Sequence, residues 1–141
     1  MHEQQPAIET LSRAECVRLL ASVPFGRLVY TVAALPAVQP VNFVVRGDRV
    51  IIRTASDSKL AAATRNAVVA FQADQIDTQG RAGWSVTVVG RSSEVVDPVE
   101  LAELALTGPQ AWGRPDSYRF IGIGLEQVTG RWLHSPVLTI S

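Results

Sequence analysis

Seven consecutive residues, Arg53-Thr54-Ala55-Ser56-Asp57-Ser58-Lys59, stand where a strand-like run, VIIRT, gives way to a helix-like run, KLAAAT. Their chemistry suits a phosphate. A helix start leaves backbone N–H groups unpaired and carries partial positive charge, so an anion there gains hydrogen bonds and dipole stabilisation together. Ser56, Asp57 and Ser58 are competent N-caps, Thr54 and Ser58 add hydroxyl donors, and Arg53 and Lys59 add charge. The same residues also suit an ordinary capped helix with solvated cations. They do not make a P-loop, because the glycines and the GK[ST] ending that wrap a nucleotide triphosphate are missing. Of the 13 Lys and Arg residues only Lys59 is a lysine, a bias that reads as genome composition as readily as function.

Other chemistries find little support. The sequence has no GxGxxG after a strand, no CxxC pair and no HExxH, and neither His2 nor His134 has a partner at a ligand spacing. Cys16, alone, cannot form an internal disulfide, and its place on an apolar helix face makes it a core residue in a chain read as cytoplasmic. At 141 residues, 47% hydrophobic and 18% charged, the chain reads as one soluble globular domain. Zero formal net charge argues against nucleic acid or an anionic membrane as partner. The segment MHEQQPAIET has no apolar signal core, and residues 28–38 form too short a run, broken by Pro36, to span a bilayer.

The elements that would position the phosphate cluster follow from periodicity. Ser12 and Glu15 make a capping box ahead of Cys16, Leu19, Leu20 and Val23, so an amphipathic helix is expected over 12–22, ended by Pro24. FGRLVYTVA, AVQPVNFVV and RVIIRT read as an antiparallel meander broken at Pro36 and at the turn Arg46-Gly47-Asp48. A short helix over 58–65 follows, with Asn66 as its stop. AVVAFQA is a strand, residues 74–83 a loop, and GWSVTVVGRSSEV a long strand in which Gly90 marks a bulge or a close backbone approach. Asp97, Pro98 and Glu100 restart a helix at N-cap, N1 and N3, with Leu101, Leu104 and Ala105 on its inner face. YRFIGIGLE and QVTGRWL are expected to pair as the last strands. The fold class is mainly β (α+β), a small barrel of about six to seven mostly antiparallel strands with short flanking helices. The flexible N-terminus is set at 1–9, the domain at 10–134 and a tail at 135–141.

The order of these segments, FGRLVY, QPVNFVV, VIIRTASDSKLAAAT, AVVAF and GWSVTVVGRSSEV, resembles the flavin-binding split β-barrel proteins related to pyridoxamine 5'-phosphate oxidase, over about residues 10–134. The resemblance implies two subunits paired through their barrels with two FMN molecules at the interface. Matched residue by residue, it places the FMN phosphate at Arg53, Thr54, Ser58 and Lys59, and counts Ala55 among the cofactor-binding residues. It sets the strand Pro40-Val41-Asn42 along the isoalloxazine ring, and brings Trp84 and Ser85 to the flavin from the neighbouring subunit. A surplus of apolar strand surface at Trp84, Val86 and Val88 fits that homodimer. The match departs from the vitamin oxidase at the segment TGRWLHSPVLTIS, where only Arg131 and His134 stand in for its arginine and histidine residues. Pyridoxamine phosphate oxidation is therefore not expected.

The reading that results is a small FMN oxidoreductase acting on an unassigned small molecule. Two alternatives stand beside it. One is a reductase using a deazaflavin coenzyme, whose longer acidic tail would call on Arg46, Arg49 and Arg65; the other is a module that binds flavin without turnover.

Overall fold

The computed structural model describes residues 8–110, 113 and 117–134. Its strands are β1 (Ile8–Thr10), β2 (Phe25–Val32), β3 (Leu35–Arg46), β4 (Arg49–Ala55), β5 (Val68–Ile76), β6 (Ala82–Glu94), β7 (Tyr118–Gly124) and β8 (Gln127–His134). Helices α1 (Arg13–Leu20), α2 (Lys59–Ala63) and α3 (Pro98–Thr107) are set between them. Pairing runs β1-β8-β6-β5-β2-β3-β4-β7, and an additional β6–β7 ladder closes six strands into a barrel with β8 and β1 as an extension. The antiparallel barrel with short helices is thus present, with six strands in the barrel and two beyond it among the described residues.

Local chemistry explains most of the elements. Ser12 and Glu15 form the reciprocal capping box at α1. Asp97 caps α3, and Pro98 stands in its first turn. The β2–β3 turn falls at Ala33-Ala34, both at positive φ (49° and 64°), and not at Pro36 as expected. A two-residue turn makes Val32 and Leu35 a hydrogen-bonded pair, so alternation leaves Pro36 and Pro40 in non-bonded positions facing Thr31 and Arg27. Their missing N–H groups would point to an edge that β4 joins only from Phe43 onward, so neither proline removes a ladder bond.

Other expectations are corrected. Ile8 and Glu9 belong to β1, which pairs with Leu133 and Trp132 of β8; residues 1–7 and the tail over 135–141 lie outside the described residues. The loop set at 74–83 shrinks to 77–81, because Asp74–Ile76 pair with Ser85–Gly83 despite their polarity, and Asp77 Oδ1 ties the turn by accepting from Gln79 and Arg81 N–H. Ala105 is exposed, leaving Leu104 as the buried anchor of α3. β7 and β8 do not pair with each other. β8 lies on β6 up to Val89, and β7 takes β6 over from Ser92, so the switch occurs across Gly90. Gly90 is indeed a close approach: a Cβ there would lie 1.9 Å from the Gly124 carbonyl oxygen.

Two apolar clusters hold the molecule. Inside the barrel, Leu28, Phe43, Ile52, Phe71, Val86 and Ile123 pack together and α1 seals one opening with Cys16 and Leu20. Burial pushes the Cys16 thiol up, with Glu15 adding to the effect, which suits a core role. Outside the barrel, Leu104 of α3 covers Ile51, Val95 and Phe120. Arg46 Nε lies 3.1 Å from Glu100, Arg46 also pairs with Glu103, and Arg49 pairs with Glu100, so α3 is latched to the β3–β4 hairpin. The hydrogen bond from Arg49 holds the Glu100 carboxyl below the ordinary carboxylate range. A depressed carboxylate stabilises the fold above its unfolded pKa and loses that contribution as pH falls through its folded value. Acidification is therefore expected to raise amide exchange in α3 before the barrel opens, and Glu100→Gln should give fast α3 exchange already at neutral pH. Wild-type protection of α3 in that variant at pH 7 would contradict the latch.

Candidate functional site

The strand pleat sorts the phosphate cluster onto two faces of β4. Thr54 points inward and is 6% exposed. Its Oγ1 lies 2.9 Å from Ser58 Oγ, which caps α2 by accepting from Ala61 N–H and donates to the Ala55 carbonyl at 2.8 Å. Since the Ser58 proton goes to Ala55, Thr54 must be the donor to Ser58, and both hydroxyls hold the turn in this arrangement. Of the first-turn amides of α2, that of Ala61 is taken by the Ser58 hydroxyl and that of Ala62 by the Ser58 carbonyl, which leaves those of Lys59 and Leu60 without an acceptor among the described residues. Lys59, the first residue of α2, is exposed and has no ion pair among the described residues.

Arg53 points outward, where its Cα partner across the ladder is Phe120. Its guanidinium carbon sits 3.5 Å from the Tyr118 ring centroid and 5.3 Å from that of Phe120. Arg53 Nε is buried without a hydrogen-bond partner, and no carboxylate pairs with this residue among the described residues. A partly buried cation with an orphaned donor is an unusual surplus, because such groups are normally paired. The donor set fits a phosphate at this end of β4.

Asn42 and Arg53 flank the Phe43–Ile52 pair, the last of the β3–β4 ladder, so the strand chosen for the ring and the strand chosen for the phosphate meet at one end. Asn42 Nδ2 donates to the Gln110 carbonyl at 3.2 Å. Beside it opens a cleft of about 560 Å³ between the end of α1 and the edge of β3, walled by Pro24, Phe43, Val44 and Pro109. That volume lies within the range of small-molecule sites. Pro40 is exposed opposite Arg27, and Val41 is buried in the barrel core.

Trp84 is placed differently from the expectation. It is 4% exposed and points into its own chain's core together with Val86 and Val88, so these residues offer no surplus apolar face to a partner. Ser85, Thr87 and Val89 alternate with them and face outward from β6. Ser85 Oγ accepts from Gln72 Nε2 at 3.2 Å, and Gln72 and Asp74 in turn contact Arg27. Ser85, Thr87, Thr129, Gly130 and Arg131 line a shallow hollow of about 300 Å³ on this outer face.

Of the three candidates for an acidic coenzyme tail, Arg46 and Arg49 are paired with Glu100 and Glu103, while Arg65 is exposed and has no ion pair among the described residues. Sequence reasoning missed Tyr118 and Phe120, although the spacing Tyr118-Arg119-Phe120 in a strand puts both rings on one face. The Gln110 carbonyl carried no sequence signal at all. No group of three metal-ligating side chains comes together among the described residues, and none of the described helices is long and apolar enough to cross a membrane.

Comparison with known proteins agrees with this barrel. The Mycobacterium tuberculosis protein Rv0080 is 50% identical over 97 residues, which cover 65% of this chain and 64% of that protein. A solved FAD-binding protein from Mycobacterium smegmatis is 36% identical and superposes with a TM-score of 0.76 over 89% of this chain and 98% of its own. An FAD-binding protein from Mesorhizobium loti is 25% identical, with a TM-score of 0.77 over 94% of this chain and 100% of its own. The pyridoxamine 5'-phosphate oxidase profile matches residues 12–132, from the cap of α1 to Trp132 in β8, and the chain therefore belongs to the pyridoxamine 5'-phosphate oxidase-like family.

Proposed function

We propose that this chain binds a flavin nucleotide, with the phosphate at Arg53 and the turn into α2 and the ring toward the cleft beside Asn42, and that it serves as a small oxidoreductase. Arg53 carries the reading. Among the described residues its Nε–H has no acceptor and its charge no carboxylate partner, which calls for an anion at the end of the ladder that Asn42 also flanks. Family membership and the FAD-binding relatives support a flavin as the molecule bearing that anion. Those relatives widen the expectation from FMN to flavin nucleotides as a class. A bound flavin supplies hydride and electron chemistry, while the protein binds and orients it. Arg53 and Lys59 contribute charge, Asn42 an amide, and Phe43 and Val44 apolar walls that exclude water. Of the three arginines that the acidic tail of a deazaflavin coenzyme would call on, Arg46 and Arg49 are already paired with α3, which leaves only Arg65 without an ion pair among the described residues.

The reading extends to a homodimer. α1 and α2 pack into the barrel cluster and α3 packs over Ile51 and Phe120, which leaves the half-buried Arg27, Gln72, Asp74, Ser85 and Thr87 on the outer face of β2, β5 and β6 without a covering helix among the described residues. Val29, Ala70 and Val89 form an apolar row beside them, matched in register across the strands. A two-fold axis on such a face makes it self-complementary and brings Ser85 of each chain toward its partner.

The purified protein should show flavin absorption, or acquire it on titration at one flavin per chain, and heat should release a molecule with the mass of FMN or FAD. Light scattering should give twice the chain mass. A protein that takes up neither flavin nucleotide would overturn the reading.

A further inference from the structure

Tyr118 opens β7 opposite Ala55, the residue at which β4 gives way to the turn into α2. The Ser117 carbonyl, next to it, accepts from Ser56 N–H at 3.1 Å, which fixes the strand against that turn. One ring face lies 3.5 Å from the Arg53 guanidinium carbon, while the residue as a whole remains 41% exposed. Phe120 meets Tyr118 edge to face at 5.6 Å and is itself 2% exposed, so it sets the tilt of the Tyr118 ring. An exposed aromatic packed over a cation that has no carboxylate partner among the described residues does little for the core. Its effect falls on the arginine.

We propose that Tyr118 is the positioning residue of the anion site: its ring holds the Arg53 guanidinium in one plane and thereby sets the preference for phosphorylated flavin over riboflavin. This rests on the flavin-nucleotide reading above. The physics is that of preorganisation. A free arginine gives up much rotamer freedom when it grips an anion, and a guanidinium already stacked on an aromatic face has given up part of it beforehand. The stack also occupies the face of the guanidinium and leaves its in-plane N–H groups for oxygen acceptors, the geometry in which arginine binds phosphate. Stacking attraction is strengthened where the cation is partly desolvated, as the buried Nε indicates here.

Three substitutions separate this role from simple packing. Tyr118→Phe keeps the aromatic face and should bind FMN and FAD within about twofold of wild type. Tyr118→Leu keeps apolar bulk without a π face, and Tyr118→Ala removes both; each should weaken the nucleotides by about 5- to 20-fold and leave riboflavin unchanged. Ligand-free protein gives an independent reading by nitrogen NMR. The Arg53 Nε–H should exchange slowly with water in wild type and in Tyr118→Phe, and rapidly in Tyr118→Leu. Slow exchange and full nucleotide affinity in Tyr118→Leu would overturn the proposal, as would equal losses for riboflavin and FMN. Arg53→Met distinguishes the two levels: unchanged nucleotide affinity there would remove Arg53 from the flavin site, whereas loss in Arg53→Met with none in Tyr118→Leu would remove Tyr118 alone.

Discussion

Arg53→Met is expected to weaken FMN or FAD binding by about 1.5–3 kcal/mol, roughly 10- to 150-fold, the range for charge-assisted hydrogen bonds. Riboflavin, lacking the phosphate, should bind that variant within about twofold of wild type, since no charged acceptor is lost. Methionine keeps an unbranched aliphatic stem on the face of β4 that Phe120, the partner of Arg53 across the ladder, shares. The variant loses the stack on Tyr118 but also deletes a partly buried cation that has no carboxylate partner among the described residues, so its stability should stay within about 1 kcal/mol of wild type. Loss of affinity without a matching loss of stability marks a residue kept for a ligand. Lys59→Ala should act in the same direction with a smaller effect, because its ammonium stands in solvent. Isothermal titration with the three ligands, beside thermal unfolding, checks all of this. An equal loss for riboflavin and FMN would mean that Arg53 acts through the fold.

A larger effect on stability is expected at Gly90. A Cβ at this position would stand 1.9 Å from the Gly124 carbonyl oxygen and 2.9 Å from its carbon, and both are backbone atoms that no rotamer change can move. The neighbourhood cannot shift cheaply, since β6 exchanges β8 for β7 here and Glu126 anchors the corner by accepting from Arg91 N–H. Gly90→Ala is therefore expected to cost about 3 kcal/mol or more, a large part of the stability of an ordinary domain. Gly47→Ala serves as the comparison. It has positive φ (60°) and open space around the missing Cβ, so only backbone strain of about 1 kcal/mol is expected. Denaturant unfolding of the two variants should separate them clearly. Similar midpoints would mean that the closure at Gly90 is looser than its geometry implies.

These residues also indicate which parts of the molecule were legible in the sequence. Caps were readable because their chemistry is local: Ser12 with Glu15, and Asp97 with Pro98, act within one helical turn. Gly90 was readable as a bulge or close approach, since a glycine inside a long apolar strand weakens it and marks a place where the chain bends or another backbone comes near. Its partner was not, because the contact with Gly124 depends on how the barrel closes. The same limit misplaced the last two strands, which follow each other in the chain yet share β6 and not each other. Trp84 shows the converse error. Alternation along β6 identified two faces correctly, but which face turns inward is decided by α1 and the barrel interior, and it turned the apolar face into the chain's own core.

At the site, residue types were legible and their directions were less so. Thr54 and Arg53 are neighbours in sequence, yet the pleat sends one toward Ser58 and the other toward Tyr118. The proposed phosphate anchor is thus Arg53 on its aromatic bed beside the α2 turn, with the hydroxyls of Thr54 and Ser58 bracing that turn. The stack depends on a strand more than sixty residues away in sequence, which no local pattern around Arg53 announces.

The most direct measurement is a crystal structure of the protein grown with FMN or FAD. Phosphate oxygens should lie within about 3 Å of Arg53 nitrogens. The ring should extend toward Asn42 and the cleft walled by Phe43 and Pro109, with the Tyr118 ring still stacked on the guanidinium. A flavin phosphate bound away from Arg53 would contradict the account.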